Sequence, residues 1–194
     1  RAFDEATAIL AGDALQVLAF EILVEHASLP VEPARRLEMV RMLAHASGTR
    51  GMAGGQAMDL AAVGRLLERS QIEEMHALKT GALIRAAVLI ACAAAPTLSA
   101  SKLKALDRYG TTVGLSSQIV DDLLDVVGDT TLTGKTRGAD ALRAKPTYPA
   151  IAGIAAARER AVELADAGIE ALAGFGPEAG QLRDFAAELV ERSR

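Results

Sequence analysis

The sequence contains few aromatic residues: phenylalanine, tyrosine and tryptophan together make up 3% of its 194 residues, and tryptophan is absent. Strands are enriched in aromatic and β-branched residues, whereas alanine and leucine, which are abundant here, favour helices. The composition therefore predicts an all-α protein. With 51% hydrophobic and 24% charged residues, the chain falls outside the class of disordered proteins.

Cysteine, positive charge and long apolar runs are also scarce. Cys92 is the only cysteine, which excludes an internal disulfide and agrees with a reducing compartment, so we expect a cytoplasmic location. The net charge of −4 argues against nucleic acid as a partner. The longest apolar run covers residues 86–95, about half of the roughly 20 residues that a membrane span requires, so we expect no membrane span.

Apolar residues recur at helical spacing through most of the chain, with proline or serine at several expected helix starts. No internal repeat, linker or shift in composition marks a second domain. We therefore predict one domain over residues 1–194, a single-domain helical bundle. The predicted helices cover residues 3–25, 33–47, 70–95, 99 or 101 to 127, 149–173 and 177–193.

The segment Gln118–Asp125 carries an unusual group of acidic residues. At 100° per residue, Asp121, Asp122 and Asp125 all lie within about 60° of Gln118 on one helix face. Three neighbouring carboxylates repel one another, and hard divalent cations such as Mg²⁺ favour oxygen clusters of this kind. The pattern is compatible with a metal site and also with a solvated acidic face.

The residues that follow favour the metal site. Lys135 and Lys145 come within about twenty residues of the aspartates, and carboxylate-bound Mg²⁺ beside lysines suits a diphosphate. The sequence "TGKT" does not form a nucleotide-binding P-loop, because five residues instead of four separate Gly128 from Gly134 and the segment follows a helix.

Polar residues also interrupt two apolar stretches. Lys79, Thr80 and Gly81 fall inside a predicted helix, where they indicate either a lysine that reaches solvent or a bend that presents a cation and a hydroxyl to a pocket. Gln56 and Asp59 share a helix face, which by itself is a weak signal. Zinc ligands at suitable spacing and a nucleophile motif are both lacking.

Five segments, in this order, resemble the trans-prenyl diphosphate synthases, especially the bacterial farnesyl and geranylgeranyl diphosphate synthases. A single Asp-Asp-x-x-Asp motif would be weak evidence, but here the motifs extend over nearly the whole chain. The segments are "AILAGDAL" (8–15), "GMAGGQAMDL" (51–60), "HALKTGALIRAAV" (76–88), "QIVDDLLDVVGD" (118–129) and "GKTRGADALRAKPTYP" (134–149).

The resemblance implies a helical bundle of the isoprenoid synthase type around a central active-site cavity. It also implies a homodimer and a prenyltransferase that condenses isopentenyl diphosphate with an allylic diphosphate after Mg²⁺-assisted ionisation. Three Mg²⁺ ions are expected in the complete site. By resemblance, the metal-side residues are Asp121, Asp122 and Asp125, with Asp59 as a weaker candidate. The diphosphate-binding residues are Gln56, Lys79, Lys135 and Lys145. The catalytic residues are Lys79, which binds the diphosphate, and Thr80 and Gln118, which lie near the allylic cation.

By the same resemblance, the chain corresponds to the C-terminal two-thirds of a polyprenyl synthetase domain. The first aspartate-rich motif and the isopentenyl diphosphate site would precede Arg1, so we expect the chain alone to be inactive. Ser117 stands where the family usually has phenylalanine. Two alternatives stay open: a non-catalytic helical subunit of a heteromeric synthase, and a class I terpene cyclase. Product chain length is not predicted.

Overall fold

The computed structural model describes residues 3–27, 29–95, 97–127 and 145–192. Every regular element in these ranges is helical, which confirms the all-α prediction. A π-helical turn, Ala77–Gly81, joins α4 to α5, and two 3₁₀ turns, Leu172–Gly174 and Pro177–Ala179, precede the last helix. The α-helices are α1 (Glu5–Glu25), α2 (Pro33–Ser47), α3 (Met52–Ala61), α4 (Arg69–His76), α5 (Ala82–Ala94), α6 (Ala100–Val127), α7 (Tyr148–Ala152), α8 (Ile154–Ala171) and α9 (Gly180–Glu191).

The helix starts follow local chemistry. The Asp4 carboxylate accepts a hydrogen bond from the Thr7 amide at 2.9 Å and caps α1. Pro33 occupies the first turn of α2, where its missing amide proton costs nothing. The Ser99 hydroxyl accepts from the Lys102 amide at 3.3 Å at the start of α6. The predicted starts at proline and serine are therefore confirmed for α2 and α6.

Two predicted helices are interrupted, each for a local reason. The helix predicted over 149–173 is divided at Gly153, whose φ of 85° lies in a region that only glycine adopts readily. The helix predicted over 70–95 contains the π-helical turn around Lys79 and Thr80, where a bend was one of the two interpretations that the sequence left open. The final α-helix begins at Gly180, after a 3₁₀ turn that starts at the predicted Pro177.

Helix α6 is the centre of the core. It packs against α8 on one side and α5 on the other. Its buried side chains include Tyr109, Ile119 and Leu123, and each large apolar side chain contributes about 1.5–3 kcal/mol when fully buried. The Ser116 hydroxyl, also buried, donates to the Ala161 carbonyl of α8 at 2.8 Å, so this polar group is satisfied inside the core.

Glycines allow three helical segments to meet at backbone distance. A Cβ atom added to Gly55 of α3 would lie 2.2 Å from the Lys79 nitrogen, in the π-helical turn. A Cβ atom added to Gly114 of α6 would lie 2.8 Å from the Cα of Gly81, in the same turn. The turn that carries Lys79 and Thr80 is therefore held between α3 and α6.

Helix α1 has no buried residue and exposes large apolar side chains such as Ile9, Leu10 and Leu15. Among the described residues, two helical stretches, Glu5–Glu25 and Arg69–Ala94, are long and apolar enough to cross a membrane by length and composition alone. Core helices of soluble proteins meet the same criteria, so this finding does not assign either stretch to a membrane.

Replacing Gly114 with alanine tests the close approach of α6 to the π-helical turn. We expect Gly114→Ala to lower the free energy of unfolding by about 1–3 kcal/mol, because the new methyl group forces the two backbones apart. The matched control is Gly12→Ala in α1, where nothing lies within 4 Å and the free energy should rise by about 0.5–1 kcal/mol. Urea denaturation measures both changes, and equal effects at the two positions would contradict the described packing.

Candidate functional site

Two lysine ammonium groups meet at one buried carboxylate. Lys79 Nζ, from the π-helical turn, lies 2.8 Å from Asp59 Oδ2, and Lys145 Nζ, just before α7, lies 2.6 Å from the same oxygen. Burial raises the pKa of Asp59, but hydrogen bonds from Lys145 and Lys79 outweigh it, and the pKa is lowered overall. An ionised Asp59 balances one of the two positive charges, so the cluster keeps a net charge of +1 and suits an anionic ligand.

A chain of hydrogen bonds runs from Thr80 to Tyr148 through two residues of α6. The Thr80 hydroxyl donates to Gln118 Oε1 at 2.5 Å, and Gln118 Nε2 donates to Asp122 Oδ1 at 3.1 Å. Asp122 Oδ2 then accepts from the backbone amide of Tyr148 at 2.8 Å. We call this series the Thr80–Tyr148 hydrogen-bond chain. It joins the π-helical turn, α6 and α7.

The three aspartates of α6 have different surroundings. Asp121 is exposed and Asp125 is half-buried, whereas Asp122 is 5% exposed. No group of three or more histidine, cysteine, aspartate or glutamate side chains within the described residues converges as a metal site. Asp121 and Asp125 lie one turn apart, and their carboxylate oxygens are the ligand type that Mg²⁺ prefers, so the donor chemistry on this face fits the ion.

His76 lies beneath the site. It is 2% exposed, and its Nε2 atom lies 3.5 Å from Asp122 Oδ2. Burial, with a smaller contribution from the charge of the nearby Lys79, lowers the pKa of His76 to about 4, so the imidazole is neutral near pH 7. Its Nδ1 atom is buried with no hydrogen-bond partner among the described residues. The burial of this histidine indicates a packing role.

Tyr148 is held at both its backbone and its side chain. Its hydroxyl donates to Glu73 Oε1 of α4 at 2.9 Å, and the Arg69 guanidinium lies 5.6 Å from the centre of its ring. Arg160 of α8 also reaches Glu73 Oε1, at 3.3 Å. Burial raises the pKa of Glu73, but the hydrogen bond from Tyr148 and the charge of Arg160 outweigh this effect, so the pKa is lowered overall.

The structure therefore brings together most of the residues that the sequence predicted. Lys79, Lys145 and Asp59 form one group, and Thr80, Gln118 and Asp122 form the adjoining hydrogen-bond chain. Gln56 is half-buried on α3, one turn before Asp59. The predicted Lys135 lies outside the described residues.

Sequence reasoning missed Tyr148 and Glu73. The available signal was weak: Tyr148 is one of only two tyrosines, and it lies between Thr147 and Pro149 in the last of the five segments that resemble the family. Glu73 belongs to a charged helix face and has no distinguishing local pattern.

One open cavity of about 870 Å³ lies elsewhere, between the first part of α2, the end of α5 and the start of α6. Arg35, Leu89, Cys92 and Leu103 are among its lining residues, and none of the predicted site residues lines it. The candidate site therefore consists of the lysine–Asp59 group and the Thr80–Tyr148 hydrogen-bond chain, and this cavity is a separate feature.

Replacing Glu73 with glutamine tests the contacts around Tyr148. At pH 7 we expect Glu73→Gln to reduce the free energy of unfolding by about 1–3 kcal/mol, because Arg160 and Tyr148 lose their charged partner. The folded-state pKa of Glu73 lies below its ordinary value of 4.5, so the ionised group stabilises the fold above pH 4.5 and this stabilisation is lost as the pH falls below it.

Chemical denaturation from pH 7 to pH 3 measures this difference. The matched control, Glu159→Gln on the exposed surface of α8, should change stability by less than about 0.5 kcal/mol. A difference between wild type and Glu73→Gln that grows as the pH falls would show that the described contacts are wrong.

Comparison with known proteins identifies the family. The sequence model described as polyprenyl synthetase matches residues 1–170. Farnesyl diphosphate synthase of Escherichia coli (strain K12) is 49% identical over 164 residues, which cover 84% of this chain and 55% of that protein. A probable farnesyl diphosphate synthase of Sinorhizobium fredii is 46% identical over 194 residues, covering 98% of this chain and 56% of that protein. The chain thus spans little more than half the length of these relatives.

Solved structures show the same fold. A geranyltransferase from Helicobacter pylori, complexed with magnesium and isoprenyl diphosphate, superposes with a TM-score of 0.80 at 30% identity, covering 97% of this chain and 61% of that one. An FPP/GFPP synthase from Zymomonas mobilis superposes with a TM-score of 0.78 at 38% identity, covering 97% and 62%. The helical bundle is therefore of the isoprenoid synthase type, and the chain belongs to the polyprenyl synthetase family.

Proposed function

We propose that this chain supplies the allylic-diphosphate side of a prenyltransferase that condenses isopentenyl diphosphate with an allylic diphosphate. The observation that carries the proposal is the meeting of Lys79 and Lys145 at Asp59, beside the Thr80–Tyr148 hydrogen-bond chain. The names of the relatives agree with it: they are farnesyl diphosphate synthases, and a similar structure is a geranyltransferase with magnesium and isoprenyl diphosphate bound. Farnesyl or geranylgeranyl diphosphate is the proposed product class.

The lysines bind the diphosphate of the allylic substrate. Both ammonium groups already lie within hydrogen-bond distance of one oxygen, so an oxyanion that approaches Asp59 meets two donors whose positions are set before binding. Lys135 is proposed as a third donor and Gln56 as a polar neighbour. Asp59, whose Oδ2 atom accepts from both lysines, is better suited to orienting them than to holding a metal ion directly.

Asp121 and Asp125 are proposed as the metal-side carboxylates of this chain. Bound Mg²⁺, three ions in the complete site, would stabilise the negative charge of the departing diphosphate. The allylic C1–O bond breaks and its electron pair leaves with the diphosphate. The double bond of isopentenyl diphosphate then bonds to C1, which leaves a tertiary carbocation. This cation loses a proton to the released diphosphate, and the electron pair of the broken C–H bond forms the double bond of the product.

Thr80 and Gln118 face the carbocation that forms in this reaction. Because the Thr80 hydroxyl donates its proton to Gln118, the lone pairs of the Thr80 oxygen stay available to a positive centre. Preorganised dipoles of this kind stabilise developing charge without reorganising during the reaction. The scheme requires neither a nucleophile nor a histidine base, in line with a buried, neutral His76.

Three further expectations belong to this proposal. A homodimer is expected by family resemblance, and the exposed apolar side chains of α1 offer a surface for a protein partner. A cytoplasmic location stays a prediction from cysteine usage. The expectation that residues 1–194 alone are inactive, and form the C-terminal part of a larger catalytic domain, also stays a prediction.

An activity assay tests the proposal, with protein expressed from its complete coding sequence. With Mg²⁺, isopentenyl diphosphate and geranyl diphosphate, it should release diphosphate and form a prenyl product that is five carbons longer. We expect Lys79→Met and Lys145→Met each to lower kcat/KM about 10- to 100-fold, because each removes a charge-assisted contact to the diphosphate. Asp121→Asn should lower kcat roughly 100-fold.

Asp107→Asn is the matched control, because Asp107 also lies on α6 but its carboxylate forms an ion pair with Arg85, outside the lysine–Asp59 group and the Thr80–Tyr148 hydrogen-bond chain. It should leave turnover within about twofold of wild type. A folded protein with no turnover on any allylic diphosphate would favour a non-catalytic subunit. Formation of cyclic hydrocarbon without isopentenyl diphosphate would favour a terpene cyclase.

A further inference from the structure

Asp122 uses both of its carboxylate oxygens inside the protein. Oδ1 accepts from the Gln118 side chain at 3.1 Å, and Oδ2 accepts from the Tyr148 amide at 2.8 Å. The residue is 5% exposed, whereas its neighbour Asp121 is exposed. Mg²⁺ normally keeps several water ligands and needs room for them, which a buried carboxylate surrounded by protein donors does not provide.

The Tyr148 amide has no acceptor in its own helix. Tyr148 is the first residue of α7, and the first amide groups of a helix lack intrahelical partners. Thr147 caps a different donor, the amide of Ala150, at 3.4 Å. Asp122 therefore completes the N-terminal cap of α7 from a different helix, with a charge-assisted hydrogen bond.

The segment between this cap and Lys145 is short and stiff. Pro146 restricts the backbone of Lys145 to extended conformations and has a fixed φ angle itself. Thr147 is buried, and the Tyr148 ring is fixed by the hydrogen bond from its hydroxyl to Glu73. A displacement of the Tyr148 amide would therefore move the Lys145 ammonium group away from Asp59.

We propose that Asp122 is a positioning residue and not a direct magnesium ligand. It fixes the start of α7, and through the stiff segment 145–148 it places the Lys145 ammonium group for diphosphate binding. The same carboxylate orients Gln118 and, through it, the Thr80 hydroxyl. One side chain thus positions both the diphosphate-binding lysine and the Thr80–Gln118 pair that faces the carbocation. This inference rests on the proposed function only in naming the ligand of Lys145.

Hydrogen exchange in the absence of magnesium and substrate tests the placement independently of activity. In Asp122→Ala, the Tyr148 amide should exchange about tenfold faster or more, while amides in the middle of α8 keep wild-type protection. The control Asp107→Asn should leave the Tyr148 amide unchanged. Unchanged exchange of this amide in a folded Asp122→Ala protein would overturn the proposal.

A conservative variant covers the case in which Asp122→Ala does not fold. In Asp122→Asn, the amide oxygen can still accept from Tyr148, and Gln118 can rotate its amide so that its oxygen accepts from the new NH₂ group. Exchange of the Tyr148 amide should therefore rise by less than about threefold. Its amide proton resonance should move upfield because a neutral acceptor replaces a charged one. A resonance that does not move would contradict the contact with Asp122.

A double-mutant cycle with inorganic pyrophosphate and Mg²⁺ links the placement to ligand binding. Asp122→Ala alone should weaken pyrophosphate binding about tenfold, through misplacement of Lys145. In the Lys145→Met background, Asp122→Ala should change the dissociation constant less than about twofold, because its target is already absent. Equal weakening in both backgrounds would assign Asp122 to the metal. A wild-type protein that lacks prenyltransferase activity would disprove the proposed function and leave the exchange result intact.

Discussion

The close backbone contact of the π-helical turn with its two neighbours is the constraint on which the candidate site depends. Gly55 of α3 approaches the backbone of Lys79, and Gly114 of α6 approaches Gly81. A side chain at either glycine would push these segments apart, beyond the distance over which their side chains can form hydrogen bonds. The contacts of Lys79 with α3 and of Thr80 with α6 exist because no side chain stands between the backbones.

Electrostatics then determine what this arrangement can bind. Two lysines held close together repel each other, and the buried Asp59 carboxylate compensates for part of that cost while it orients both. The remaining positive charge favours an anion with several oxygens. The imidazole of His76 beneath the site is neutral near pH 7, so it adds no positive charge beside the aspartates of α6. The lysine cluster thus supplies positive charge and α6 supplies carboxylates, the two kinds of group that the proposed metal-bound diphosphate would need.

Helical periodicity predicted one part of the candidate site, the polar face of α6, whereas the roles of the lysines and of Thr80 were inferred from resemblance to the family. Gln118 and Asp122 are four residues apart, and the structure does join them by a hydrogen bond. Periodicity could not show that Asp122 points into the protein while Asp121 is exposed, since that difference depends on where α7 lies against α6. The role of Tyr148 was missed for the same reason: both of its partners are remote in sequence.

The sequence by itself determined the helical class, most helix bounds and the identity of the charged groups, because composition, caps and periodicity act over a few residues. It also indicated a local irregularity at Lys79 and Thr80, where the structure has a π-helical turn. Only the tertiary structure decided that Lys79 and Lys145, 66 positions apart (145 − 79), share one oxygen of Asp59. That pairing follows from helix packing and glycine contacts between distant segments, which local sequence patterns do not encode.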